Sequence, residues 1–220
     1  MTNYGTTKKT VYFVRHGESE HNTQPIIQAD DSPLSERGHQ QAQTVGERLA
    51  HLEFDVLVAS PTLRARQTAE HIARATGRDI VFSDLFAERR KPTSLESKPW
   101  SDEAASTKWL QWEASIYDGG DRIENGENWD DFISRIDNAL QYLLDRPEQT
   151  IAVVTHGNFL RALTVRALFG DQLNGELLKL FQERARIDNT GASKLLYRDA
   201  YNEDFAWQLV THNDRAHFAE

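Results

Sequence analysis

Val11-Tyr12-Phe13-Val14-Arg15-His16-Gly17 and Ile151-Ala152-Val153-Val154-Thr155-His156-Gly157 are two stretches that read alike. Each begins as an uninterrupted apolar run rich in β-branched or aromatic residues, the composition of a strand buried on both faces. Each ends in a histidine followed by glycine. A strand covered on both faces belongs to a parallel sheet, whose ligands bind in the crevice outside the carboxyl ends of the strands. His16 and His156, delivered there by independent strands, are therefore expected to face one cleft.

Working outward, Val56 to Ala59 is a third buried run; it ends at Ser60-Pro61 and leads within four residues to Arg64. Pro61 suits the first helical position, which puts Arg64 in a first turn whose free backbone amides also favour an anion. Helical spacing relates Ala42, Val45 and Leu49, and then Leu63, Ala69, Ile72 and Ala73. The strongest helix spans 128 to 145, with Trp129, Phe132, Ile133, Ile136, Leu140, Leu143 and Leu144 on one face, Asn128 as N-cap and Pro147 past its end. A further helix runs from Asn158 to Gly170. Ala192 to Tyr197 and Phe205 to Val210 read as two closing strands joined by a short polar turn. This alternation predicts an α/β fold of three layers, a mostly parallel central sheet with helices on both faces. Residues 89 to 127, which hold Trp100, Trp109 and Trp112, show no strong strand pattern. They are expected to form a helical or irregular insertion over the active-site edge, with the tryptophans as its small core, ahead of a substrate lid. Without repeats or a linker, 1 to 220 reads as a single domain.

The 220 residues, 39% hydrophobic, suffice for one sizeable core. A net charge of -9 argues against a general nucleic-acid binder, yet a few converging arginines can still build a local field for a small phosphate. The absence of cysteine removes disulfides, thiolate metal sites and a cysteine nucleophile. No run approaches the roughly 18 apolar residues of a membrane span, and the polar amino terminus carries no export signal, so a cytoplasmic protein is expected. His16 and His21, five apart, match no helix-face ligand spacing; neither a metal nor a cofactor is required. P-loop, dinucleotide and nucleophile-elbow signatures are missing.

Two histidines and two arginines at one sheet edge suit phosphoryl transfer. A neutral imidazole attacks phosphorus in line if its other nitrogen is held as a donor, most simply by a backbone carbonyl. Arginine meets the equatorial oxygens with paired donors, and a protonated second histidine adds another contact. Arg15, Arg64 and His156 fit those roles beside His16. The leaving oxygen needs a proton, which a carboxylic acid of raised pKa could supply. Glu88 is the candidate, with Asp84 and Glu96 as alternatives. Arg89, Arg90 and Lys91 read either as a site for a second anionic group on the substrate or as a solvated charge run.

Arg15-His16-Gly17-Glu18-Ser19 with Asn22, Pro33-Leu34-Ser35-Glu36-Arg37-Gly38 with Gln41-Ala42, and Ser60-Pro61-Thr62-Leu63-Arg64-Ala65 with Gln67-Thr68-Ala69 occur in that order, followed by Thr155-His156-Gly157 and Asn189-Thr190. In this series the chain resembles the histidine phosphatase superfamily, also called phosphoglycerate mutase-like. The resemblance implies His16 as the phosphorylated residue, Arg15, Arg64 and His156 as the phosphate pocket, Asn22 and Gly157 among the substrate-binding positions, and Glu88 as proton donor. The family often follows its acid with a glycine-containing segment, whereas Arg89-Arg90-Lys91-Pro92 follow here. The histidine-tyrosine pair and glycine-tryptophan element of cofactor-dependent phosphoglycerate mutases are also missing. The resemblance therefore implies a metal-independent phosphatase acting on a small phosphomonoester, ahead of a mutase or a catalytically silent phosphate-binding protein.

Overall fold

The two matching stretches lie side by side. In the computed structural model, which describes residues 7–117, 119–198 and 207–218, strand β1 (Thr7–Arg15) pairs in parallel with β4 (Thr150–Thr155) in a register that sets Val14 beside Val154 and Arg15 beside Thr155. His16 and His156 thus leave the sheet from adjacent strand ends. On the far side of β4 lie β2 (Val56–Ala59) and β3 (Ile80–Phe82), both parallel to it. On the far side of β1 the antiparallel β5 (Ala192–Arg198) is followed by β6 (Trp207–Asp214), which gives the order β3-β2-β4-β1-β5-β6. β5 alone runs against the others, so the sheet is mostly parallel as the sequence predicts.

Helices cover both faces because the strands carry apolar side chains on both. Val14, Leu57, Ala59, Ala152 and Val154 pack with Val45 and Leu49 of α1 (Glu36–Leu49) and Ala65, Ala69 and Ile72 of α2 (Leu63–Thr76). On the opposite face Val11, Phe13, Val58 and Val153 pack with Phe132, Ile136 and Leu143, and with Phe159, Leu160 and Leu163. The first three of these helix residues belong to α4 (Trp129–Asp145) and the last three to α5 (Gly157–Phe169). Each fully buried side chain of this size contributes about 1.5–3 kcal/mol relative to exposure. The Ser35 hydroxyl caps α1 by accepting from the Gly38 amide at 3.0 Å, and Asn128 is the N-cap of α4 as predicted, with Asp131 completing a capping box.

The predicted insertion contains α3 (Glu103–Ala114) and a turn of 3-10 helix at Thr93–Leu95. It is stitched to the loop that follows the first motif: the Ile27 amide donates to the Lys98 carbonyl at 2.8 Å and the Trp100 amide to the Pro25 carbonyl at 3.0 Å. Beneath this seam Ile27, Leu95 and Ala105 bury with Trp109 against them. The tryptophans run edge to face from buried Trp112 through Trp109 to Trp100, which stays 43% exposed. Among the strands and α-helices of the described residues, two lack any counterpart in the sequence reading. Edge strand β3 has only three residues, none buried, so no alternation marks it, and α6 (Gly175–Arg184) buries Leu178 alone. The second closing strand begins at Trp207 and continues to Asp214, beyond the predicted end at Val210; Phe205 and the polar turn lie outside the described residues. No described helix is long and apolar enough to cross a membrane.

Candidate active site

His16 is held at both its amide and its carbonyl. Its amide donates to the Thr155 carbonyl at 2.9 Å, extending the β1–β4 pairing one residue, and its own carbonyl accepts from Asn189 Nδ2 at 3.0 Å. The Thr190 amide donates to the Arg15 carbonyl at 3.0 Å. The chain then turns through Gly17, whose amide donates to Thr68 Oγ1 at 3.1 Å. A Cβ on Gly17 would lie 2.6 Å from the Gly38 carbonyl oxygen, and one on Gly38 would lie 1.9 Å from the Glu18 carbonyl oxygen. The first two motifs therefore cross backbone on backbone, which requires both glycines. His16 Nδ1 sits 2.6 Å from the Gly17 carbonyl oxygen. Only a protonated nitrogen satisfies that acceptor, so Nδ1 carries the proton and the lone pair is on Nε2, to which Arg64 Nε donates at 3.2 Å. Burial, then the charges of Arg64 and Arg15, hold His16 well below the ordinary histidine range despite the Gly17 bond. The imidazole is neutral.

Arg64 is buried in the first turn of α2 as expected, but Pro61 does not take the first helical position: Thr62 is the N-cap and the helix begins at Leu63. Its Nη1 donates to the Ala29 carbonyl at 3.1 Å and its Nη2 to His156 Nδ1 at 3.3 Å. With Nδ1 accepting, His156 donates from Nε2 to Ser60 Oγ at 2.8 Å. The two imidazoles lie 5.0 Å apart between centroids. Burial, then Arg64, His16 and Arg15, depress His156 well below its ordinary value. The expectation of a protonated second histidine is corrected accordingly: a buried imidazole among arginines stays neutral, its one N–H held by Ser60 and its free nitrogen accepting from Arg64. Arg15 donates from Nη1 to the Ile187 carbonyl at 2.8 Å, while its buried Nε has no partner. Its guanidinium lies across Gly157, where a Cβ would come within 3.3 Å of that Nε.

Glu88 reaches the same centre. Its Oε1 accepts from the Phe159 amide at 2.8 Å and the Arg89 amide at 2.9 Å, and its Oε2 accepts from the Asn158 amide at 3.1 Å. The carboxylate is thus seated on the first turn of α5, and its charge acts on both Arg15 and Arg64. Glu96 also acts on Arg64, but its carboxylate lies 3.4 Å from Lys91 Nζ. Asp84 lines a separate cleft with Arg90, Asp130 and Asp131. Of the three acids, Glu88 alone engages an element that carries a pocket histidine.

Other predicted positions are used differently. Asn22 is exposed, and its Oδ1 accepts from the Ser19 amide at 3.1 Å, which shapes the turn after the nucleophile. The reading of Arg89 as a substrate contact is corrected. The Arg89 guanidinium is buried on the Trp112 ring at 4.0 Å and donates to the carbonyls of Glu127 and Trp112 and to Ser115 Oγ. Burial, opposed by Glu127, pushes it down to about 9. Arg90 pairs with Glu127 at 3.0 Å, and Lys91 lies between Asp30 at 3.5 Å and Glu96 at 3.4 Å. Each cation has a protein partner because this segment is the stem of the insertion.

Several contributors escaped the sequence reading. Asn189 belongs to the Asn189-Thr190 motif, to which the sequence assigns no role, and Ser60 reads only as a strand end. Arg135 had one signal, its phase: it falls three residues after Phe132 and four before Ala139, on the apolar face of α4. Among the described residues, no three His, Cys, Asp or Glu side chains are grouped to hold a metal ion.

The sequence model of the histidine phosphatase superfamily (branch 1) matches residues 11–214. A relative from Escherichia coli O1:K1 / APEC, "Probable phosphoglycerate mutase GpmB", is 31% identical over 211 residues, 94% of each chain. Among solved structures, a putative alpha-ribazole-5'-P phosphatase from Escherichia coli K-12 superimposes with a TM-score of 0.76 at 23% identity, covering 94% of this chain and 97% of that one. A mycobacterial glucosyl-3-phosphoglycerate phosphatase in complex with VO3 gives 0.74 at 21% identity, covering 94% and 100%.

Proposed function

Because this chain belongs to the histidine phosphatase superfamily, we propose that it hydrolyses a small phosphomonoester, without a metal, through a phosphohistidine on His16. The observation that carries this reading is the 2.6 Å contact between His16 Nδ1 and the Gly17 carbonyl, which keeps the lone pair on Nε2 in a buried, neutral ring. Nε2 attacks phosphorus in line, and the phosphorus bond to the leaving oxygen breaks. Arg15, Arg64 and the Gly157 amide at the start of α5 take the equatorial oxygens, with His156 Nδ1 holding the Arg64 guanidinium in place. Glu88, in its protonated form, gives its proton to the leaving oxygen. Water then attacks the phosphohistidine while Glu88 accepts the water proton, and the nitrogen–phosphorus bond breaks to release phosphate and restore His16.

The relative named as a probable phosphoglycerate mutase favours a second reading, in which the phosphoryl group returns to product instead of water. The engagement of Arg89, Arg90 and Lys91 with protein groups supports hydrolysis, since a substrate with a second anionic group finds that cationic run already paired. The test is release of p-nitrophenol from p-nitrophenyl phosphate, in excess EDTA, by the wild type and His16→Ala. Chelator-resistant turnover is expected, with its loss in the variant. Phosphoglycerate isomerisation outpacing phosphate release would select the mutase, and phosphate-ester binding without turnover between pH 5 and 8 would leave only a ligand pocket.

A further inference from the structure

Arg135 stands outside the phosphate pocket, yet its donors converge on the segment that carries Glu88. Its Nη1 donates to the carbonyls of Leu85 at 3.0 Å and Ala87 at 2.8 Å, and its Nη2 to the carbonyl of Glu88 at 3.1 Å. The carbonyl it skips, that of Phe86, accepts from Thr155 Oγ1 at 2.7 Å. Nε and Nη2 also make a paired contact, each 2.7 Å long, with the two oxygens of buried Glu127. All five guanidinium N–H groups are thereby used. The same guanidinium lies 5.0 Å from the ring of Phe159, whose amide donates to Glu88.

Glu127 completes the clamp. It accepts from the Arg90 amide at 2.8 Å and donates its own amide to the Arg90 carbonyl at 2.7 Å, closing the stem of the insertion. Burial would raise this carboxylate, but its bonds to Arg135, with Arg90 adding to them, hold it below the usual range. A buried ion pair is by itself weak evidence for stability, because desolvation offsets the attraction. What singles this pair out is where its hydrogen bonds go: onto successive carbonyls of a short irregular run that ends at the proposed acid.

We propose that Arg135, held by Glu127, is the positioning residue of the general acid, fixing the main chain of residues 85 to 88 so that the Glu88 carboxyl meets the leaving oxygen. This rests on the reading of Glu88 given above. It acts through Glu88, so in kcat/KM, which reads phosphoryl transfer to His16 and not the later hydrolysis, its loss is felt only where the leaving group needs a proton.

The test compares kcat/KM for 2,4-dinitrophenyl phosphate, whose leaving oxygen departs as an anion, with that for phenyl phosphate, which needs the proton. Arg135→Lys and the near-isosteric Glu127→Gln are measured beside Glu88→Gln, each after thermal unfolding has verified a folded protein. A displacement near 1 Å at a reacting group costs roughly 100-fold. Arg135→Lys is therefore expected to lower the phenyl phosphate value by about 30- to 100-fold and the dinitrophenyl value by less than about threefold. Glu127→Gln should show the same pattern more weakly, and it retains Arg135 should the lysine variant not fold. An equal fall on both substrates, or no change on either, would overturn the proposal while leaving Glu88 in place. If Glu88→Gln itself shows no leaving-group dependence, the acid assignment falls and the positioning role falls with it.

Discussion

Gly38 tolerates no side chain, because the atom its Cβ would meet at 1.9 Å is a carbonyl oxygen of the loop that follows the nucleophile. Gly38→Ala is expected to cost about 3 kcal/mol of stability, read as a lower thermal midpoint, together with most of the activity; an unchanged midpoint would show that the two motifs do not cross so closely. His217 offers a pH test at the same scale. Its Nε2 faces Thr190 Oγ1 at 3.3 Å and its Nδ1 accepts from Arg48 at 3.1 Å. Burial and Arg48, against Asp214, bring it down to about 4. A histidine depressed in the folded state takes up its proton more readily in the unfolded chain. Stability is then full above the unfolded value, near 6.5, and declines as pH falls toward 4. The thermal midpoint should drop between pH 7 and 5, and His217→Gln should drop less. Equal slopes for the two proteins would discount the His217 contribution.

At the scale of elements, the end of β1 is held from two directions: β4 continues its ladder to the His16 amide, and the Asn189-Thr190 turn before β5 grips the carbonyls of Arg15 and His16. Asn189→Ala removes one of these bonds and should cost about 1 kcal/mol of stability. Its effect on kcat/KM for p-nitrophenyl phosphate should be larger, on the order of tenfold, because the bond fixes the nucleophile itself. Activity that changes no more than stability would mean that β4 alone positions His16. The link was half legible. Asn189 and Thr190 stand together in the sequence, but their hydrogen bonds depend on β5 lying against β1, a pairing that no spacing within the turn specifies.

Over the whole molecule, a net charge of -9 coexists with a pocket built on Arg15 and Arg64, since the field near the sheet edge is set by the nearest charges. The carboxylates of Asp30 and Glu96 act on Arg64 and flank Lys91. A leaving group bearing its own negative charge should be disfavoured beside them. Glycerol phosphate is expected to exceed 3-phosphoglycerate in kcat/KM by about tenfold at low salt, and the gap should narrow as ionic strength screens the rim. Equal values at low salt would show that the rim does not select. Vanadate should compete with substrate, because its trigonal bipyramidal form resembles the transition state.

Composition and period by themselves determined that buried parallel strands deliver His16 and His156 to one edge, with Arg64 in the helix turn beside them. Burial and periodicity are properties of the local chain, so these features could be read before any folding was known. The short edge strand at Ile80–Phe82 and the thinly buried helix Gly175–Arg184 left too little pattern to read. Tertiary structure alone decided that Arg89 is buried on Trp112, that His156 is neutral, and that Arg135 grips the Glu88 segment. The reason is physical. Which carbonyls a guanidinium finds, and how far a charge lies from an imidazole, are set by the packing of segments distant in sequence, and neither distance exists until the layers close.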